Sequence, residues 1–587
     1  MNRIPFFCSL VFLIISGQLL VAQPIPEITS EELKTHLYFL ASDELKGRYP
    51  GTPEDSVTAH YILQQFTETG LEPFAGGMQS FKIVTGVEAG SNNKAGFDQQ
   101  FLELSGDYYP LSISDNGVLS APVVFGGWGF SIENDTLSWN SYKEIDVSGK
   151  WVLLVQGIPE NLQNNNLFEP YTDDSYKARI AKENGAAGII LFSNSDNTRF
   201  RKLDKRDYAA GVSALQLSKE KALELLQTSK AFNENTLHDL HRGREPISFP
   251  LEAEFTATIE INKTFAETYN VAAIAKADGP LQDEYIVVGA HYDHLGMGGA
   301  GSSSRQQDTV AVHFGADDNA SGTAALMEIA EKFAAHTNQL ARSVVFVAFG
   351  AEEKGLLGSK YFVDSADFDV SSIKAMANMD MVGRFNNKNL IQVGGTGTAP
   401  EIPEILISMQ KDSFPALAMN EAGFGPSDHA AFYGRDIPVF FFSTGGHGDY
   451  HTPADTPDKI DYKGLKTVSD YVYNVVHDLS TRQKNLTFTE AGPKTRSTGR
   501  TSLKVTLGIM PDFASQDNKG LGVDFVSPGK PAEGGGMKKG DVIIGINDNE
   551  IKNIRDYMFQ LSKLESGERI TVTVMRNGDE ETLIVQL

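Results

Sequence analysis

The stretch VVFVAFGAEEKGLLGS, residues 344–359, ends a β-branched apolar run on two adjacent acids, Glu352 and Glu353. Such a run reads as a buried parallel strand whose end turns into solvent. The pair would suit the first turn of a following helix, so alone it implies no chemistry. Its company does. Seven of the twelve histidines fall between His291 and His451, and polar residues repeatedly follow apolar strands there. His291 and Asp293 come after EYIVVGA, Asp380 ends AMANMD, and His451 lies a short loop beyond IPVFFFST. Ligands of open α/β sheets bind at the carboxyl ends of strands, so these residues should converge on one sheet edge. The run Asp317-Asp318-Asn319 in FGADDNASG stands in a loop before a helix, where an N-cap would also account for it. Beside four strand-end motifs it is read with them.

Two imidazoles and three carboxylates suit a pair of divalent ions, each taking one nitrogen and mixed oxygens if one carboxylate bridges. Two Zn2+ ions roughly 3.5–4 Å apart clamp an attacking water and a substrate oxygen, and a remaining acid serves as general base. Neighbouring residues at a strand end point different ways. One glutamate can therefore ligate metal while the other reaches the water.

The elements that must position these groups follow from patterning. At 587 residues the chain exceeds a single core. Its net charge of −25 excludes a nucleic-acid partner. Residues 1–22 carry Arg3, an apolar stretch and Ala22, and read as a secretory signal peptide, which places the protein in a periplasm or the medium without stable membrane insertion. The single cysteine, Cys8, falls inside that segment, leaving His, Asp and Glu as metal donors. From about residue 262, strands alternate with amphipathic helices, which predicts an α/β fold: a mixed, mostly parallel sheet between helical layers. Short strands and one βαβ-like unit, KWVLLVQG to ARIAKENGAAGIILFSN, predict a non-catalytic insert over 111–261. The polar, Gly/Pro-punctuated residues 481–497 read as a linker. Residues 498–587 read as a separate unit with a hairpin turn at Asn577-Gly578.

HYDHLG, GADDNASG, FGAEEKGLLGS, NMDMVGR and DYHTPADT, in this order, resemble the motifs of the secreted two-zinc aminopeptidases of metallopeptidase family twenty-eight. HLYFLASDELKGRYPGT resembles that family's N-terminal signature, so the resemblance spans residues 27–110 and 262–480. The insert resembles a protease-associated domain. KGLGVDFVSPGKPAEGGGMKKGDVIIGINDNEI in the tail resembles a PDZ domain, a β-barrel-like fold that takes peptide or protein C-termini. By motif, the resemblance implies two Zn2+ per chain, with His291 and Asp380 on one and Glu353 and His451 on the other. It implies Asp318 as the bridge, with a cis peptide after it, and Glu352 as general base acting on peptide substrates. Asp293 would orient the His291 ring, and Tyr450 would hydrogen-bond the oxyanion.

His294, His313 and His447 are read as structural or supporting, and Ser427-Asp428-His429 lacks the nucleophile elbow of a hydrolase triad. Three alternatives stay open: a carboxypeptidase with a basic substrate pocket, a one-zinc glutaminyl cyclase of the same fold, and a peptide-binding protein over a dead catalytic domain. Arg435 is the one basic residue near the motifs suited to clamp a substrate carboxylate.

Overall fold

The computed structural model describes residues 26–587 apart from 135–136, 160–170, 195–198, 206–209, 234, 243–244, 336, 366, 386–388, 493, 495–504, 513–519, 528, 548 and 553. The signal-peptide expectation for residues 1–22 lies outside the described residues. No helix among the described residues is long and apolar enough to cross a membrane.

Arg342–Phe349 is buried at every position, as a strand covered on both faces must be. It runs parallel to Leu281–His291, which runs parallel to Ile373–Met379, and that strand to Val439–Ser443. Antiparallel neighbours extend this parallel core to an eight-stranded mixed sheet, with Ile261–Ala275 and Glu72–Ala89 on one side. Alternation along the strands divides the core. Val344 and Phe346 pack with Leu33, Leu326 and Val472, whereas Val345 and Val347 pack with Phe362 and Phe432. Helices Ser30–Leu40, Gly322–Ala334 and Tyr462–Thr481 supply the first layer, and Leu357–Asp364 and His429–Tyr433 the second. Each fully buried aliphatic or aromatic side chain contributes about 1.5–3 kcal/mol.

Glu72–Ala89 pairs with Ile261–Ala275 along a long antiparallel ladder that ends with Ala89 opposite Ile261. The chain leaves and re-enters the peptidase sheet at neighbouring points, so a module fits between them without distorting the sheet. That module is a second eight-stranded sheet with parallel strands Trp151–Val155, Gly188–Phe192 and Ser213–Leu217 at its centre. It starts earlier than the expected residue 111, because Lys94–Phe97 and Tyr108–Pro110 already pair within it. Those strands are too short to show a period of two, so the sequence carried no boundary signal there.

Residues 482–492 do not hang free as the linker reading supposed. Arg342 donates to the carbonyls of Arg482 and Gln483, Thr487 donates to Glu401, and the Thr489 N–H donates to the Thr398 carbonyl. Leu486 and Phe488 also pack on the peptidase cores, but two apolar residues among polar ones leave no periodic pattern, which is why the strap reads as a linker. The tail folds as a third sheet with helix Ile554–Ser562, and its last hairpin turns at Asn577 and Gly578, both at positive φ.

Candidate metal centre

The four parallel strands deliver their ends to one edge. His291 is the last residue of its strand, Asp380 follows Met379, and Glu352 and Glu353 follow Phe349 through a short turn. Ala351, Met381 and His451 lie at φ 56°, 57° and 55°, a left-handed region that costs non-glycine residues and concentrates at functional sites. Asp318 enters from the turn Ala316–Ser321 before helix Gly322–Ala334, and the Asp318–Asn319 peptide is cis.

Two groups of donors result. His291 Nε2 lies 3.4 Å from Asp318 Oδ1 and 3.5 Å from Asp380 Oδ1. His451 Nε2 lies 3.1 Å from Asp318 Oδ2 and 3.2 Å from Glu353 Oε1. Asp318 thus offers one oxygen to each group. Tetrahedral zinc with ligands near 2.0–2.1 Å sets donor atoms roughly 3.3 Å apart, and these spacings bracket that value. Buried Asp318 Oδ2 and Glu353 Oε1 accept no hydrogen bond. Uncompensated buried carboxylate oxygens are costly, and a cation between them removes the cost. His291 and His451 each present Nδ1 to a main-chain carbonyl, of Asp293 at 3.2 Å and Ser303 at 3.0 Å. Such contacts fix the tautomer that leaves Nε2 for metal.

The Asp293 carboxylate does something other than the imidazole contact expected of it. It lies 3.8 Å from His291 Nδ1, beyond hydrogen-bond range. Its oxygens instead accept the Glu352 and Glu353 N–H groups at 2.9 and 3.2 Å, so it holds the turn that carries the paired acids. Burial pushes Asp293 up to about 7. Glu352 belongs to neither donor group. Burial, with Glu353, Asp428 and Asp380 close by, pushes its carboxyl well above the usual range against the opposing charge of His291. Burial acts on Glu353 in the same direction, but the neighbouring His451 and His294 imidazoles outweigh it and hold the carboxyl low. Tyr450 stacks on the His451 ring at 3.8 Å between centroids. Burial and the carboxylates around it raise the phenol well above its usual value.

Several residues that position the site escaped the sequence reading. Asp455 Oδ2 accepts the Asp317 and Asp318 N–H groups, while its Oδ1 takes Arg384. His447, read from sequence as structural or supporting, brings Nε2 to 3.1 Å from Asp317 Oδ2. Arg48, fully buried, donates to the carbonyls of Tyr292, Phe314 and Gly315 and so ties two of the motifs together. His294, set aside above, brings Nδ1 to 3.1 Å from Glu353 Oε1. Its signal was the second histidine of HYDHLG. His313 is satisfied by Ser304 and the Ala311 carbonyl.

Comparison with known proteins follows this geometry. Residues 270–476 match peptidase family M28, residues 119–225 the PA domain, and residues 505–587 the PDZ domain. Aminopeptidase YwaD of Bacillus subtilis is 25% identical over 453 residues, covering 76% of this chain and 83% of its own. Leucine aminopeptidase 2 of Arthroderma otae is 30% identical over 213 residues, 35% of this chain and 39% of its own. Among solved structures, the aminopeptidase from Aneurinibacillus sp. strain AM-1 aligns over 79% of this chain and 95% of its own, with 23% identity and a TM-score of 0.43. The catalytic domain of this chain is that of a peptidase of family M28, joined in one polypeptide to a PA domain and a PDZ domain.

Proposed function

We propose that the protein is a secreted two-zinc aminopeptidase that removes N-terminal residues from peptides. The observation that carries this reading is the sharing of Asp318: its two oxygens serve separate donor groups, and the Oδ2 side is buried without a hydrogen-bond partner. His291, Asp318 and Asp380 would hold one zinc, and Asp318, Glu353 and His451 the other. The ions would supply Lewis acidity, lowering the pKa of water and polarising the scissile carbonyl.

The chain's own groups do the rest. Glu352, its carboxyl raised by burial and acidic neighbours, takes the proton of the attacking water and returns it to the leaving amine. Asp293 fixes the backbone of both glutamates and so keeps Glu352 apart from Glu353. Tyr450, held protonated, donates a hydrogen bond to the oxyanion. The PDZ domain takes a peptide or protein C-terminus.

The carboxypeptidase alternative needs a basic group for the substrate carboxylate. Arg435 pairs with Asp364, Arg384 with Asp449 and Asp455, and Lys354 lies over the Tyr49 ring at 3.8 Å. These cations are engaged, which favours recognition of a free amine by metal and acids. The test gives the zinc-loaded protein one peptide in free, N-acetylated and C-amidated forms. Acetylation is expected to abolish cleavage and amidation to matter little. The opposite result makes the protein a carboxypeptidase.

A further inference from the structure

Resting on the metal centre as the place where a peptide's N-terminus is cut, we propose that the PDZ domain is a wall of its entrance. Phe525, held by Arg305, makes the site select slim peptides over chains that carry folded bulk.

The metal centre is not equally buried all round. The side chains of His291, Asp318 and Glu353 are 1%, 4% and 6% exposed, whereas those of His451 and Asp380 are 12% and 15% exposed. Substrate therefore arrives over His451 and Asp380. The loop that carries His451 runs through Gly448, and residues 303–305 brace it. The Ser303 carbonyl faces His451 Nδ1 at 3.0 Å, and the Arg305 N–H donates to the His451 carbonyl at 3.0 Å. The Arg305 guanidinium reaches along the same loop to the Gly448 carbonyl at 3.3 Å.

The tail meets the peptidase at this brace. Arg305 also donates to the Ser527 hydroxyl and lies 5.7 Å over the Phe525 ring. Leu521 and Val523 of strand Leu521–Val526 turn into the tail's own core, and strict alternation would send Phe525 after them. The ladder with Ile509–Asp512 slips, however: Met510 faces Phe525 while Pro511 faces Val523. One extra residue between them is a β-bulge, a device that re-aims side chains. Val526 packs on the tail core instead, and Phe525 is turned out to the peptidase. The receiving surface fits the ring. A Cβ on Gly448 would lie 2.8 Å from Phe525 Cζ and 3.1 Å from Cε2, and the Gly448 backbone is not left-handed. Close approach of the ring, rather than conformation, calls for glycine there.

The tether makes so small a contact sufficient. Lys494 is still paired with Asp436 of the peptidase, and Val505 already packs on the tail core, so ten residues lie between the two anchors. Such a length spans at most about 35 Å, which confines the domain near the entrance and keeps its local concentration high. One ring, one guanidinium and one hydroxyl then hold the domain docked in most molecules and still let it leave. A slim peptide passes the docked wall. A peptide with a folded body behind it reaches the metals only while the domain is away, a minor state of roughly 0.1–10%. Its apparent affinity falls by that fraction.

The experiment presents one peptide to the zinc-loaded full chain in two forms, free and as the short N-terminal extension of a folded protein, beside an aminoacyl-nitroanilide. The native chain should cleave the nitroanilide and the free peptide well and the fused form poorly. Phe525→Ala removes the ring, and Phe525→Lys sets a like charge against Arg305. Both variants should fold, because Phe525 lies outside the tail's core. Both should leave the first two rates unchanged and raise kcat/KM on the fused form by about tenfold or more, since the docked fraction no longer stands in the way. Hydrogen exchange gives a readout apart from activity: amides of residues 446–451 should exchange faster in both variants than in the native chain. Equal cleavage of the fused form by all three chains overturns the role of Phe525. Slower cleavage by the variants overturns it too, and would mean that the PDZ domain gathers substrates instead of screening them. Unchanged exchange overturns the docking itself. A native chain that leaves the nitroanilide intact overturns the aminopeptidase reading, while exchange still decides whether the tail docks.

Discussion

At the carboxyl ends of the parallel strands in the inserted module, polar groups saturate one another. Lys177 donates to the carbonyls of Val155 and Gly157, Gln156 donates to Asp174, and Arg201 pairs with Asp174. At the corresponding edge of the peptidase sheet, Asp318 Oδ2, Glu353 Oε1 and both nitrogens of His294 find no hydrogen-bond partner. The unpartnered atoms differ in kind as well. In the module they include the Tyr108 hydroxyl and the Trp151 indole N–H, each a neutral group able to donate. At the peptidase edge they are two carboxylate lone pairs and an imidazole turned toward one another, an arrangement that a bound cation would complete. Both edges stand where α/β sheets bind ligands, so position alone does not make a site. What distinguishes the two is whether the protein satisfies its own polar groups.

The contrast breaks most sharply at the paired glutamates. Glu352→Gln should keep both zinc ions and lose ~10²–10⁴-fold in turnover, the usual cost of removing a general base. Glu353→Gln should lose metal. Because the His451 and His294 imidazoles hold the Glu353 carboxyl low, its charged form stabilises the metal-free fold, so the metal-free Glu353→Gln protein should melt below the metal-free native chain. Metal analysis and calorimetry of the apo proteins decide. If Glu352→Gln loses zinc and Glu353→Gln keeps it, their roles are exchanged.

Asp455 offers a smaller effect. It acts on Asp318 only by holding two backbone N–H groups, so Asp455→Ala should weaken zinc retention by about 10–100-fold, as loss of such support typically does. Unchanged retention under chelator would make Asp455 a packing residue.

The parallel sheet and the convergence of its strand-end motifs were legible because buried strands and polar strand ends are local patterns. Asp455, Arg48 and His294 were not, because their meaning depends on what the chain brings beside them. Arg48 reaches across 266 positions in sequence to the Phe314 carbonyl, and no window in the sequence contains both. The strap of 482–492 was hidden for a related reason: it is attached by main-chain hydrogen bonds and by two isolated apolar side chains, Leu486 and Phe488, too few to form a periodic pattern. The tail shows the same limit. Sequence marks it as a separate unit, yet Arg305, whose N–H donates to the His451 carbonyl, also lies 5.7 Å over the Phe525 ring and donates to Ser527.

That contact gives a milder test. The tail has its own core of Leu521, Val523, Ile543 and Val572, so removing residues 498–587 should leave a folded, zinc-loaded peptidase with small-substrate hydrolysis nearly intact. Arg305→Ala in the full chain should match the truncation. A truncated protein that binds zinc but is inactive would mean that the Arg305 contact holds His451 in place.

The last test lies in the saturated edge and concerns stability alone. Lys177 is wholly buried, with its ammonium between two carbonyls and near the faces of Trp128 and Phe130. Burial lowers its pKa to about 7, with Asp174 opposing. The unfolded chain keeps an ordinary lysine near 10.4. Between about pH 7 and that value the unfolded state therefore binds more protons than the folded one, and this residue's contribution to stability rises with pH. Below about 7 both states are protonated and the penalty for burying the charge is at its largest. Lys177→Met removes the charge and leaves two carbonyls without a donor, so the variant starts from a fixed loss at every pH. The informative quantity is the difference in melting temperature between variant and native chain, followed from pH 6.5 to 9.5. It should move against the variant as pH rises, because only the native chain gains. A difference that stays flat would show that the carbonyls and ring faces solvate the ammonium fully, and that the saturated edge carries its buried charge without cost.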